Sequence, residues 1–449
     1  MVVGAECVRA DAASLDAYGQ DALRQGHPPD LVVLPATSRE IAAIARLCNE
    51  HLVPLVVRGA GTGYSGGAVP TRGGIVVSME RLNRILEIDE ANLLAVVEPN
   101  VVTADLQRAV ENVGLFYPPD PASLETCSIG GNVAECAGGP RAFKYGTTKR
   151  YVLALEAVLP TGEIVKTGSK AVKNVVGYDL TQLLVGSEGT LAIITRITLR
   201  LIPKPPARAT LLALFGDVHT AVDAVTALIQ RRVVPASLEL VDADSLSAVR
   251  NHLGKDVVPP GTGAVLIVEA DGMQSAVDDE IDRVADACRE VGATGVTVAA
   301  NEDDRDRLWN VRRLLSAALM ATGLLKINHD VVVPRGRVPD LFEVIQELKE
   351  AFGLKIAAFG HAGDGNIHVN LMVNRSDPQE LARARQAERV LFEHVVALEG
   401  SISGEHGIGF AKAPYIGIEL SPEEIALMTR VKAAFDPNGI LNPGKIFPG

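Results

Sequence analysis

The stretch Arg58-Gly-Ala-Gly-Thr-Gly-Tyr-Ser-Gly-Gly-Ala-Val-Pro70 constrains this chain more than any other. Within it Gly61-Thr-Gly63-Tyr-Ser-Gly66 matches GxGxxG, and an acidic residue, Glu80, follows about twenty positions on, as in a dinucleotide-binding unit. A Rossmann fingerprint must open a helix. Here the loop runs instead into Pro70, then Gly73-Gly74 and an apolar strand from Ile75 to Ser78. Upstream, the pattern gives a strand from Leu31 to Leu34, a helix opened by the capping box Thr37-Ser-Arg-Glu40, and a strand from Val53 to Val57. Strand, glycine loop, strand excludes the Rossmann arrangement and the NAD-linked dehydrogenase that would use it. It still exposes a row of backbone N–H groups able to cradle a pyrophosphate. A plain glycine hairpin is the alternative, although the five glycines between Arg58 and Ala68 exceed what a turn requires.

A second concentration of chemistry lies in His361-Ala-Gly-Asp-Gly-Asn-Ile-His368-Val-Asn370 and Gly404-Glu405-His406-Gly407. Residues 366 to 373 alternate as a half-buried strand does, with Asn366, His368 and Asn370 on one face and Ile367, Val369 and Leu371 on the other. Two neutral imidazoles and a carboxylate form a three-ligand set that leaves positions open on zinc, manganese, iron or cobalt. The expected ligands are His361, His368 and Glu405. His406 is then the base beside the metal, since Gly404 and Gly407 let the chain bend and aim neighbouring side chains at one region. The plainer alternative is that these groups satisfy backbone atoms in glycine-rich loops.

A length of 449 residues allows two or three domains, and the charge of -12, with no basic run against it, argues against a nucleic-acid partner. No apolar stretch approaches the ~20 residues needed to span a bilayer, and no secretory signal opens the chain, so a cytoplasmic location is expected. The five cysteines, at 7, 48, 127, 136 and 288, have neither disulfide-framework nor iron–sulfur spacing.

Beyond the first loop, the chain carries Tyr117-Pro-Pro-Asp-Pro-Ala-Ser123, Cys127-Ser-Ile-Gly-Gly-Asn-Val-Ala-Glu-Cys-Ala-Gly-Gly139 with Lys144-Tyr-Gly146, Gly177-Tyr-Asp-Leu-Thr-Gln-Leu-Leu-Val-Gly-Ser-Glu-Gly-Thr190, and Asp436-Pro-Asn-Gly-Ile-Leu-Asn-Pro-Gly-Lys445. With these stretches the chain resembles the FAD-binding flavoproteins of the vanillyl-alcohol oxidase and p-cresol methylhydroxylase (PCMH) type. Ala-Gly-Gly-Pro140, Leu-Pro-Thr-Gly162 and Lys173-Asn-Val-Val-Gly-Tyr-Asp179 extend the likeness to D-2-hydroxyacid dehydrogenases of the glycolate oxidase flavin-subunit type.

The resemblance implies FAD held in an extended pose. The implied contacts are Arg58, Gly59, Ala60, Gly61, Thr62, Gly63, Ser65 and Gly66 in the first loop, then Pro119, Asp120 and Ser123, then Ser128, Ile129, Gly130, Gly131 and Asn132. Further along come Ala137, Gly138, Gly139, Tyr145 and Gly146, then Glu188, Gly189 and Ile193, and finally Asn442. Tyr64 stands where covalently flavinylated members often place a His, which implies non-covalent FAD.

After Pro203-Lys-Pro-Pro206 the pattern restarts: strand Thr210 to Leu214, helix Val218 to Gln230, strands Ser237 to Val241 and Ala264 to Glu269, helix Ser275 to Val291, strand Gly295 to Ala299. This β-α-β-β-α-β series is ferredoxin-like and matches the substrate cap that the resemblance implies. A following helix places Arg312 and Ser316 four apart on one face, and an arginine fork suits a carboxylate, with Arg313 as rival. The resemblance assigns Arg312, Ser316 and Lys326 to the substrate carboxylate, although Lys326 precedes Asp330 by a wider spacing than the family pattern. Asn370 shares the face of His368 and is expected to hydrogen-bond the substrate.

The whole is expected to be α+β: an N-terminal segment 1–30, a two-part FAD-binding PCMH-type domain 31–203, a ferredoxin-like α/β substrate cap with the metal site 204–400, and a C-terminal helical segment 401–449 that completes the active site and returns to the FAD domain. The expected reaction is FAD-dependent, metal-assisted (Zn, Mn or Fe) oxidation of glycolate or D-lactate to the 2-oxo acid, with the α-hydrogen passing to flavin N5. D-2-hydroxyglutarate or another bulkier acid, or a non-catalytic electron-transfer flavoprotein with a structural zinc, are the alternatives. Nothing in the sequence matches an acceptor site for the electrons. The resemblance therefore implies iron–sulfur and second flavin-type partner subunits, with inner-membrane association through them, or another acceptor such as a cytochrome or electron-transfer flavoprotein.

Overall fold

The computed structural model describes residues 2–448. The chain divides into two compact units: residues 1–138, 146–204 and 405–449 form the first, residues 139–145 and 205–404 the second. The peptide chain therefore passes between them four times, and the last passage falls between Gly404 and Glu405.

In the first unit, strands Val8–Arg9, Leu31–Val33, Ile75–Ser78 and Leu55–Arg58 lie side by side in that order. Leu55–Arg58 and Ile75–Ser78 pair in parallel, so the glycine stretch between them is a crossover loop and the hairpin alternative falls. The helix Ser38–His51 opens at Thr37, whose side chain accepts the Glu40 N–H, and buries Ile41, Ile44 and Ala45 against this sheet. A second sheet runs Ile85–Asp89, Leu94–Val97, Ile193–Arg200, Val152–Val158, Ile164–Gly168. The C-terminal segment closes the unit by bridging Leu441 to Leu55, which buries Ile440 and Leu441 in the same core.

The second unit is built on one seven-stranded antiparallel sheet. Its first four strands, in the order Gly295–Val298, Ala207–Phe215, Ala264–Gly272, Ser237–Asp242, realise the expected ferredoxin-like arrangement. Two features extend it. A helix, Ala243–Leu253, follows Ser237–Asp242 directly, capped by Asp242, and three more strands continue the sheet in the order Lys355–His361, Asn366–Val373, Leu325–Val332. Helices Ala243–Leu253 and Glu302–Ala321 pack together on the face carrying Val241, Phe359 and Met372. On the opposite face His329 stacks edge-on against Phe392 of the helix Pro378–Ala397. Because both faces are covered, Asn366–Val373 is buried along its whole length, where the alternation alone predicts a half-buried strand.

No helix among the described residues is long and apolar enough to cross a membrane. All five cysteines are free thiols.

Candidate active site

In the first unit the glycine loop meets the N-terminus of the helix Ile129–Glu135. A Cβ at Gly59 would lie 2.4 Å from Ser128 Oγ, and one at Gly130 would lie 2.6 Å from Pro99 Cβ, so the loop, the helix start and the Pro99 turn approach at distances only glycine permits. Ser128 caps the helix by accepting the Gly131 N–H at 3.3 Å. At Gly63 nothing lies within 4 Å of where a side chain would begin. Ser65 Oγ and Asn100 Oδ1 are buried here without a protein partner. Exposed loop N–H groups, a helix N-terminus and two orphaned polar atoms fit a dinucleotide laid across the loop. Asn100 was not legible in the motifs.

Several residues that the resemblance assigns to the cofactor spend their side chains on the protein. Asn132 donates to Thr103 Oγ1 at 2.6 Å. Asn442 donates to the carbonyls of Gly67 and Glu188 at 2.9 and 2.8 Å and accepts from Lys445 Nζ. Ile193 is packed in the first core, and the Arg58 guanidinium donates to the Gln20 carbonyl. Tyr145 belongs to the segment inserted in the second unit, where its hydroxyl donates to the Asp271 carboxylate at 2.7 Å. These bonds brace the loops on which the cradle is built.

The segment carrying Glu405 and His406 lies against the same cradle. A Cβ at Gly138 would sit 2.6 Å from Glu405 Oε2, which places this carboxylate on the bare backbone of the Cys-Ala-Gly-Gly139 stretch. The His406 ring stacks on Tyr64 of the glycine loop, centroids 5.5 Å apart and planes 28° from parallel. Phe410 and Ala411 both donate backbone N–H groups to the Ser65 carbonyl, at 3.1 and 3.2 Å.

In the second unit the register explains how the imidazoles meet. Asp330 faces His368, Phe359 faces His368 on the other side, and His361 faces both Asn366 and Glu239. All share one face of the sheet, since residues directly opposite in an antiparallel pair point the same way. The His361 and His368 rings lie 5.3 Å apart, edge to face, and both are buried. His368 Nδ1 is 3.7 Å from Asp330 Oδ1. Asp330 accepts from Asn366 Nδ2 at 2.5 Å and from the Gly404 N–H at 2.9 Å, so the residue just before Glu405 is fastened to the strand opposite His368. Two convergent imidazoles beside carboxylates form a donor set able to take a divalent ion.

Glu239 and Arg312 organise the rest of this face. Arg312 Nε donates to Glu239 Oε2 at 2.5 Å, and His361 Nδ1 shares a hydrogen bond of 2.5 Å with Glu239 Oε1. Arg312 also lies over the Phe359 ring at 4.7 Å, and its side chain is 10% exposed. Its rival Arg313 is 57% exposed and pairs with Asp306, an ordinary solvated helix arginine. Complete burial of Glu239 works to raise its pKa, but the charge and hydrogen bonds of His361 and Arg312 overcome this and hold it down to about 2. The free arginine clamp expected from sequence is thus an arginine held by a carboxylate, with its other guanidinium nitrogens left for further partners.

Lys326 Nζ donates to Ser316 Oγ at 2.9 Å, bringing those two expected residues together. Asn370 is different from the expectation. Its amide nitrogen donates to the Ala357 and His368 carbonyls, both at 3.1 Å, and its oxygen accepts from Asn328 Nδ2 at 2.8 Å, so it braces Asn328. Asn328 Oδ1 is the atom left without a partner. Glu239, Asp330 and Asn328 were missed, although each interrupts an apolar strand pattern on its inward period: Leu238-Glu-Leu-Val241 and Ile327-Asn-His-Asp-Val331.

A glycine cradle between parallel strands in one unit and a sheet-borne His pair in the other suit a flavin-dependent oxidoreductase. Two family models agree: the FAD binding domain matches residues 29–168, and the C-terminal domain of FAD linked oxidases matches residues 204–446. The chain belongs to the FAD-linked oxidase family. It is 43% identical over 431 residues to the glycolate oxidase subunit GlcD of Bacillus subtilis, covering 96% of this chain and 92% of that one. It is 38% identical over 416 residues to the D-lactate dehydrogenase of Archaeoglobus fulgidus, covering 93% and 91%. Among solved structures, p-cresol methylhydroxylase with substrate bound superposes with a TM-score of 0.82 at 19% identity, covering 99% of this chain and 94% of that one, which shows the common fold.

Proposed function

We propose that this chain oxidises a small D-2-hydroxy acid, glycolate or D-lactate, to its 2-oxo acid, with His361, His368 and Glu405 as ligands of a divalent metal and non-covalent FAD in the cradle of residues 58–66 and 128–132. The observation that carries this reading is the buried pair of imidazoles 5.3 Å apart, set beside Glu239, Asp330 and the amides of Asn366 and Asn370 on one sheet face. The names of the relatives at around 40% identity supply the substrate class. Glu405 enters through the chain itself, since it directly follows Gly404, whose N–H is fixed to Asp330.

FAD would supply the two-electron acceptor, and a metal the Lewis acidity that lowers the pKa of an alcohol as it does that of bound water. The side chains do the rest. His406 takes the hydroxyl proton, general-base help worth roughly 10² to 10⁴ in rate. Arg312, oriented through its Nε by Glu239, presents its remaining N–H groups to the carboxylate, and Asn328, braced by Asn370, offers an acceptor to the substrate. The electrons then leave to a partner, which we take to be an iron–sulfur or second flavin-type subunit; that the GlcD relatives are named as subunits supports a partner subunit.

A bulkier acid such as D-2-hydroxyglutarate is the second reading, and the Lys326–Ser316 pair favours it. Lys326 lies four residues from Asp330 along one strand, about 13 Å between backbones at ~3.3 Å per residue, and its Nζ is turned to Ser316, which suits an acid with a second, distal carboxylate. Anaerobic titration of the flavin-loaded protein with glycolate, each lactate enantiomer and D-2-hydroxyglutarate decides between them. Glycolate or D-lactate is expected to bleach the flavin band. If none of the four acids does so, the proposal fails.

A further inference from the structure

Beneath the peptide that carries Glu405 and His406 lie two buried carboxyl groups that no step above uses. Glu188 accepts the Ile408 N–H through Oε1 and the Gly409 N–H through Oε2, both at 2.7 Å. It does so from a left-handed backbone, φ 52°, a conformation uncommon for a residue with a side chain. Glu135 sits alongside. A Cβ at Gly407, itself at φ 76°, would lie 2.2 Å from Glu135 Oε2 and 2.9 Å from Glu188 Oε1, so this peptide rests on both carboxyls at once. A Cβ at Gly409 would lie 2.0 Å from the Ser65 carbonyl, which fixes the other side of the segment to the glycine loop.

We infer that Glu188 is the positioning residue for Glu405 and His406, seating the Gly407–Gly409 backbone as a charged acceptor, and that Glu135 packs beside it as a neutral carboxyl. The inference rests on the roles given to Glu405 and His406 above. Two carboxylates this close in a buried site cannot both ionise. Besides backbone N–H groups, the groups facing the pair are Asp21, Lys412 and Lys445. Burial raises the pKa of Glu188 as well, but both short N–H bonds and the cations fall on Glu188 and act against that rise. Glu135 has burial, the charge of Glu188 and Asp21 against its ionised form, and its Oε2 has no partner. Burial, then Glu188, pushes its pKa well above the ordinary carboxylate range.

The two residues therefore differ in what an isosteric amide does to them. Glu135→Gln copies the neutral carboxyl, whereas Glu188→Gln must turn an NH₂ toward one of two N–H donors. Each variant is purified with FAD, stripped with a chelator, titrated with Mn²⁺, and its amide hydrogen exchange is followed in peptides covering residues 404–412. Glu135→Gln is expected to keep flavin content, Mn²⁺ affinity and kcat within about twofold of wild type. Glu188→Gln is expected to bind Mn²⁺ about 10- to 100-fold more weakly per flavin-loaded protein, the usual cost of losing a group that orients a ligand. The Ile408 and Gly409 amides should also exchange about tenfold faster. Should Glu188→Gln not fold, Glu188→Asp, which keeps the charge one methylene short, is expected to show the same changes in smaller measure. Wild-type exchange at 408–409 in Glu188→Gln, or equal damage from Glu135→Gln, overturns the inference. If wild-type protein binds no Mn²⁺, the ligand assignment fails instead, and the exchange measurement still decides whether Glu188 seats the peptide.

Discussion

Glu239 joins the two side chains on which substrate and metal binding would depend, and its chemistry gives a pH signature. Its folded-state pKa lies below its ordinary value of 4.5, at about 2, so it stabilises the fold fully above 4.5 and loses that contribution as pH falls through 4.5 toward 2. Glu239→Gln should therefore be less stable than wild type at pH 7, by a few kcal/mol as is usual on breaking a buried ion pair, with the gap narrowing in denaturant melts at pH 3; a gap independent of pH would show that packing, not charge, holds this site. His406→Asn should lower kcat for the preferred acid by roughly 10² to 10⁴ while KM moves only a few-fold. A matching rise in KM with unchanged kcat, read in steady-state assays, would make His406 a binding residue. The histidines were legible as residues because their spacing with Gly and Asn is unusual. Glu239 was not, because a lone acid in an apolar strand shows its purpose only when Arg312 and His361 arrive from positions 73 and 122 residues away.

At the scale of elements, sequence periodicity placed Val218–Gln230, Ile75–Ser78 and Asn366–Val373 as the structure has them, since short-range alternation and helical repeats are local properties. It did not place the helix Ala243–Leu253, whose start depends on Asp242 accepting the Ser245 N–H at 2.8 Å immediately after a strand ends. Nor could alternation tell that the polar face of Asn366–Val373 is buried, because that follows from helices supplied by other parts of the chain. The helix Ile129–Glu135 yields a test. A methyl at Gly130 meets Pro99 backbone as well as its ring, atoms that cannot swing aside, and overpacking of this kind costs roughly 1–3 kcal/mol. Gly130→Ala is expected to push the helix N-terminus out of the cradle and weaken FAD retention by about tenfold or more, read as the flavin-to-protein absorbance ratio after dialysis. Full flavin content in this variant would remove the helix N-terminus from the cofactor site.

For the whole molecule, the glycine cradle belongs to one unit and His361 and His368 to the other. Chelation should consequently remove metal and bring substrate-driven flavin reduction down to background while leaving the flavin bound, as judged by metal analysis and visible spectra of one sample. Loss of flavin together with the metal would mean that the two cannot be separated. What the sequence determined by itself were the features written in local repeats and bend-permitting glycines: the non-Rossmann cradle, the strand and helix series of the second unit, and the identity of the imidazoles. The tertiary structure alone decided which charges meet. Glu239 between Arg312 and His361, Asn370 spent on Asn328, and Glu188 under residues 408–409 all join positions dozens to hundreds of residues apart, and strand register and chain return, which set those pairings, are fixed by burial of the whole fold rather than by any one segment.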